Sequence, residues 1–251
     1  MYRGFNIKNI SLESSRYYDI GNAQSVKHNE VVAQEISSFI LDKGKIDGTK
    51  MQSNWFPKLD ADVFISHSHK DIVLAKTLAG WLKDKFELDT FIDSSVWGYS
   101  NDLLKQIDND HCKTGDNLYS YDSRNFSTSH VHMMLASALT MMIDQAETLF
   151  FLNTPQSLSS DDIKQKTMSP WIYFELTTSR FIRKPIPDRR IQNVITEAYT
   201  MIKKAELNIE YTVDFSDFIT LGADELNAWS HSIGTKGIET LDKLYELHPL
   251  N

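Results

Sequence analysis

At 251 residues the chain is long enough to bury a full core, as one large domain or one domain with an extension. A composition of 41% hydrophobic and 24% charged residues, with ten Gly and six Pro, excludes low-complexity and fibrous classes. The formal net charge of −8 leaves no Lys/Arg excess to release counterions, which argues against binding along a phosphate backbone but not against a small nucleotide. Cys112 is the only cysteine, so an intrachain disulfide framework is excluded and the thiol reads as a bystander. The first residues lack the apolar core of a secretory signal, and no window approaches the roughly 18 apolar residues of a membrane span. The expectation is a cytoplasmic chain with neither nucleic-acid nor membrane partners.

Residues 1–28 are polar and irregular. Val31, Val32, Ile36, Phe39 and Ile40 recur at helical spacing and stop at Gly44, a residue suited to the left-handed turn past a helix end. Residues 1–58 therefore read as a helical N-terminal extension. At Asp62 the texture changes: Val63-Phe64-Ile65 is a short apolar run of the kind a buried parallel strand requires. A polar loop, residues 66–71, follows it, and then a helix with Ala75, Leu78, Ala79, Leu82 and Phe86 on one face. Residues 88–93 read as a second strand, 94–100 as a loop, and Leu103, Leu104 and Ile107 as a short helix. Residues 108–128 read as an insertion. Ser129 is placed to cap a helix through Met142. Residues 148–152 form a third apolar strand and 171–182 a helix. A helix from Asp188 through Ile202, a strand at 208–213 and a closing helix at 238–247 complete the chain.

Alternating strands and helices are the mark of a doubly wound α/β parallel sheet. Such sheets bind ligands beyond the carboxyl ends of their strands, where the strand order reverses. The loops beginning at Ser66, Asp93 and Asn153 are then the ones to watch.

Two segments carry a family resemblance. Asp62-Val-Phe-Ile-Ser-His-Ser-His-Lys-Asp71 resembles the first strand and loop of TIR domains. Ser169-Pro-Trp-Ile-Tyr-Phe-Glu175-Leu176 resembles the TIR pattern Ser-x-Trp-Cys-x-x-Glu-Leu, with Ile172 where Cys often stands. A weaker third match, Phe91-Ile92-Asp93 followed by Trp97-Gly98, resembles the second strand and the mobile loop after it. The resemblance implies a flavodoxin-like TIR domain over residues 59–251. TIR domains divide into scaffolds that associate through their surfaces and enzymes that cleave NAD+. In the enzymes the Glu of the second motif is catalytic, which carries over to Glu175. The resemblance further implies a role in bacterial antiphage signalling, ADP-ribose or a cyclic isomer as product, self-association, and an effector protein encoded nearby.

The chemistry suits these residues. Breaking the nicotinamide–ribose bond builds oxocarbenium-like charge on the sugar, and a carboxylate beside the ribose stabilises it. Nicotinamide leaves without a separate general acid because its ring already carries positive charge, so NAD+ is substrate and no cofactor is required. Ser66, His67 and Lys70 are candidates to meet ribose or diphosphate; Asp93, Trp97, Asn153 and Trp171 complete the candidate binding set. Each has a plainer reading: Glu175 as a solvated helix carboxylate, Trp171 as core, the loop residues as a loop. The pairs His67/His69 and His130/His132 lack the partners and spacing of a metal site, and no metal is expected. Gly-rich dinucleotide, P-loop and nucleophile-elbow patterns do not occur.

Overall fold

The computed structural model describes residues 1–12, 15–29, 46–56, 60–159, 165–190, 211–232 and 234–249. The helix expected over residues 31–43 and most of the one expected after Asp188 lie outside this set.

Five parallel strands form the central sheet: β1 (Arg3–Lys8), β2 (Val63–Ser66), β3 (Thr90–Ile92), β6 (Thr148–Asn153) and β9 (Phe218–Leu221), in the order β3-β2-β6-β1-β9. Helices cover both faces. Side chains alternate as a pleated strand demands: along β6, Leu149 and Phe151 join one core, Phe150 and Leu152 the other. The first core is completed by α2 (Gly48–Trp55), α4 (Ser94–Ile107), α5 (Tyr121–Gln145) and α6 (Pro170–Phe181). The second is completed by α3 (Ile72–Phe86), α7 (Ala223–His231) and α8 (Thr240–Leu247). The α/β parallel architecture is as the sequence implies.

Several expectations are corrected. Residues 1–58 are not a helical appendage: β1 is an interior strand, paired in parallel with β6 on one side and β9 on the other. It escapes a hydrophobic reading because Arg3, Gly4 and Asn6 leave only Phe5 and Ile7 apolar, yet all five are buried. Each is accommodated. Arg3 Nη1 donates to the carbonyls of Tyr245 and His248 at 3.2 and 2.9 Å. Gly4 lies under the Phe218 ring, which a Cβ would meet at 2.8 Å. Asn6 Oδ1 accepts from Asn153 Nδ2 at 2.9 Å. With β1 in fourth place the strand order also departs from flavodoxin-like 2-1-3-4-5. The run β3-β2-β6 follows that pattern, but its neighbour comes from the N-terminus instead of from a strand after β6. Finally, residues 94–100 are no loop: Asp93 accepts from Ser94 N and the chain enters α4 directly.

The segment 108–128 is likewise structured. A π-helical turn, Asp108–Cys112, leads into a hairpin of β4 (Lys113–Gly115) and β5 (Leu118–Tyr119). Ser120 caps α5 two turns earlier than expected. The strand expected at 208–213 is described only at β8 (Tyr211–Thr212), which pairs antiparallel with β7 (Lys166–Thr167) outside the main sheet. The fifth sheet strand is β9 instead.

On the second face α1 (Ser15–Asn29) lies across α3. The crossing depends on two glycines: a Cβ at Gly21 would sit 1.8 Å from Lys76 O, and one at Gly80 would sit 1.7 Å from Tyr17 O.

Candidate active site

The connection from β2 to β3 runs toward one sheet edge, and the next one, from β3 to β6, runs back over β2. Strand order therefore reverses between β2 and β6, the position where open α/β sheets hold ligands. Ser66 ends β2, His67 follows it, Asp93 follows β3 and Asn153 ends β6. Opposite them, Ser169 Oγ accepts from Ile172 N at 3.3 Å and Pro170 occupies the first turn, which starts α6 where the second motif begins. Glu175 sits one turn into that helix, on the face packed against the sheet.

These pieces form one cluster. Ser66 Oγ donates to Glu175 Oε2 at 2.7 Å. His67 Nδ1 lies 2.5 Å from Asp93 Oδ1, and the His67 backbone N–H donates to Asp93 Oδ2 at 3.4 Å. Ser94 N donates to Asp93 Oδ1 at 2.6 Å. The Asp93 and Glu175 carboxyls also act on one another electrostatically. Ser66, His67, Asp93 and Glu175 are all 0% exposed.

Burial decides the protonation states. Removing a carboxylate from water disfavours its charged form, and a second carboxylate nearby adds like-charge repulsion. Burial pushes Asp93 up to about 8. Glu175 is held well above the usual carboxylate range, by burial first and by Asp93 second, while the Ser66 hydroxyl works the other way. Burial lowers His67 to about 4, against the pull of Glu175 and Asp71. The close His67–Asp93 contact would also suit an ion pair, but burial favours a neutral imidazole. The resting cluster is thus nearly uncharged.

Just outside it, Thr154 Oγ1 donates to Asp71 Oδ2 at 2.6 Å, tying the loop after β2 to the end of β6 on the two sides of the switch point. Of the other expected residues, Asn153 is half-buried and bonded to Asn6. Lys70 is exposed. Trp171 is half-buried and meets the His132 ring of α5 edge-on, with centroids 5.5 Å apart. Trp97 lies in the first turns of α4, not in a gating loop, and its side chain is outside the described set. Asn6 and Thr154 were missed by sequence reasoning; a polar residue flanked by Phe5 and Ile7 was the available sign of the first, and nothing local marks the second.

Among the described residues no group of three or more His, Cys, Asp or Glu side chains is placed to hold a metal ion. A cleft of about 910 Å³ opens elsewhere, between α2, the end of α4 and α5, lined by Met51, Ile107, Phe126 and Met134 among others. It shares no residue with the strand-end cluster. No helix among the described residues is long and apolar enough to cross a membrane. No protein-family model, curated protein or solved structure matches the chain.

Proposed function

We propose that the protein is a TIR-like NAD+ nucleosidase with Glu175 as its catalytic residue, acting in bacterial antiphage signalling. The observation that carries this reading is the 2.7 Å hydrogen bond from Ser66 to Glu175. It joins two motifs that lie 109 positions apart, and it does so where the strand order reverses. In the proposed reaction the C–N bond between ribose and nicotinamide breaks and its electron pair leaves with the ring, neutralising the ring's positive charge. The ionised Glu175 carboxylate stabilises the oxocarbenium left behind. Water then adds to the ribose carbon and loses a proton, giving ADP-ribose; attack by a nitrogen of the same molecule's adenine gives a cyclic isomer. Two conditions follow from the resting geometry: Glu175 must be uncovered and must lose its proton.

Incubation of the full chain with NAD+, with nicotinamide release followed by chromatography, tests the reading. A loss of turnover of about 10²–10³-fold in Glu175→Gln is expected, the scale of removing one main electrostatic stabiliser. Turnover undiminished by that change overturns it.

A non-catalytic scaffold that self-associates or binds an effector is the second reading. The complete burial of Glu175 favours it, because a sealed carboxyl meets no substrate. Light scattering with and without NAD+ separates the two: a scaffold assembles without the nucleotide and releases no nicotinamide.

A further inference from the structure

We infer that the Asp71–Thr154 hydrogen bond is a clasp: it closes the crevice between β2 and β6 over Glu175, and it opens at low cost because Asp71 has a second place to bond, the first turn of α3. The clasp supplies the uncovering of Glu175 that the proposed nucleosidase requires, and it rests on that reading only for its effect on turnover.

The bond stands where a ligand would enter. β2 and β6 are neighbours, with Ser66 beside Phe151, and the strand order reverses between them. Beyond their ends Thr154 Oγ1 donates to Asp71 Oδ2 at 2.6 Å, joining the segment after one strand to the segment after the other. Asp71 and Thr154 are half-buried, while Ser66, His67 and Glu175 are 0% exposed. The Thr154 side is a well-bonded turn. Thr154 N donates to Ser157 Oγ at 2.9 Å, and Ser157 Oγ donates to Leu152 O at 2.9 Å. Gln156 N donates to Thr154 Oγ1 at 3.1 Å, which leaves the hydroxyl its own proton to give to Asp71. Leu158 carries this turn into the same core as Ile172 and Leu176 of α6, the helix that bears Glu175. The Asp71 side is different. Asp71 directly precedes α3, the N-cap place, where an Asp ordinarily accepts from an N–H of the first turn with its own backbone extended. Here its carboxylate makes no such bond, and its φ of −98° and ψ of 13° are not extended. One carboxylate thus has two exclusive uses: holding Thr154, or capping α3 after its backbone turns. Opening exchanges one hydrogen bond of Asp71 for another, and the half-buried Thr154 hydroxyl turns to water. Two states of similar free energy are what a ligand entering the crevice can bias.

Carbodiimide-driven amide labelling of Glu175 in the full chain, read by mass spectrometry, tests this without reference to turnover. Thr154→Val keeps the shape of the side chain and removes its hydroxyl. Labelling about tenfold faster than in wild type is expected, the scale of one hydrogen bond to a charged group. Thr154→Ser keeps the hydroxyl and is expected to label at the wild-type rate. Equal labelling of wild type and Thr154→Val, or equally fast labelling of both variants, overturns the clasp. Hydrogen exchange at the Val73 and Leu74 N–H groups is expected to slow in Thr154→Val, because the released carboxylate caps α3; unchanged exchange overturns the second bonding place. In wild-type protein the labelling rate is expected to stay nearly constant with urea below the unfolding transition, the mark of local opening. Labelling that rises in step with global unfolding overturns the clasp, and this arm decides even where a variant fails to fold. Where NAD+ is cleaved, kcat/KM is expected to rise in Thr154→Val; a fall would overturn the clasp as the control on turnover. If neither protein cleaves NAD+ but Thr154→Val labels faster, the nucleosidase reading fails and the clasp stands.

Discussion

At the scale of single residues, the cluster shows how two short polar sequences become one site. Ser66 owes its place to the strand before it: Val63, Phe64 and Ile65 are fully buried, and the next residue in the pleat ends at the sheet edge with its hydroxyl toward α6. Removing that hydroxyl leaves Glu175 Oε2 buried without a donor. Ser66→Ala is therefore expected to cost about 1–3 kcal/mol, the range for stranding a buried polar atom, measured by urea unfolding. A change below about 0.5 kcal/mol, typical of surface substitutions, would mean that the Ser66–Glu175 bond contributes nothing to the fold. The second motif was legible for a similar reason. Ser169, Pro170 and the apolar Ile172 and Leu176 together specify a capped helix with one face inward, and Glu175 falls on that face. What could not be read was its surroundings. Full burial of Glu175 and its interaction with Asp93 arise from residues in two separate strand-end loops, and no local pattern encodes that meeting.

At the scale of elements, β2, β3, β6, α3 and α6 were readable because their apolar residues follow the period of strand or helix. β1 was not, because its buried Arg3, Gly4 and Asn6 are accommodated by partners far away in sequence: Tyr245 and His248, Phe218, and Asn153. The start of α5 was missed because Tyr121, Phe126 and the polar residues between them are largely exposed and carry no apolar stripe. The crossing of α1 on α3 yields a sharp test, since two effects of one substitution oppose. Ala is favoured over Gly inside a helix by about 1 kcal/mol. Yet a Cβ at Gly80 would lie 1.7 Å from the Tyr17 carbonyl oxygen, which is backbone and cannot swing aside. Overpacking of this kind costs about 1–3 kcal/mol or more, so the clash wins and Gly80→Ala is expected to destabilise. Gly21→Ala, facing Lys76 O at 1.8 Å, is expected to do the same. Urea unfolding checks both; a gain in stability would show that the helices do not cross there.

At the scale of the whole molecule, the buried cluster makes stability depend on pH in a signed way. Asp93 rises from 3.8 to about 8 on folding, so its contribution is full below the unfolded value and is lost as pH climbs toward 8. Glu175 is raised too and acts in the same direction. His67 falls from 6.5 to about 4, so its contribution is full above 6.5 and is lost as pH drops toward 4. Between 4 and 6.5 the two trends oppose; above 6.5 only the carboxyls act. Unfolding free energy is expected to fall between pH 6.5 and 8, by roughly 2 kcal/mol for one proton released across that window. Asp93→Asn is expected to flatten the decline, and an unchanged slope in that variant would place its origin outside the cluster. The same ionisation that loosens the fold would arm Glu175, so stability and turnover are expected to change in opposite directions over this window. The most direct test of the central claim is nicotinamide release from NAD+ by the full chain, measured beside Glu175→Gln. Release by the wild type and a loss of about 10²–10³-fold in the variant are expected; equal release by both, or none by the wild type in any assembled or partner-bound state, would contradict a catalytic Glu175.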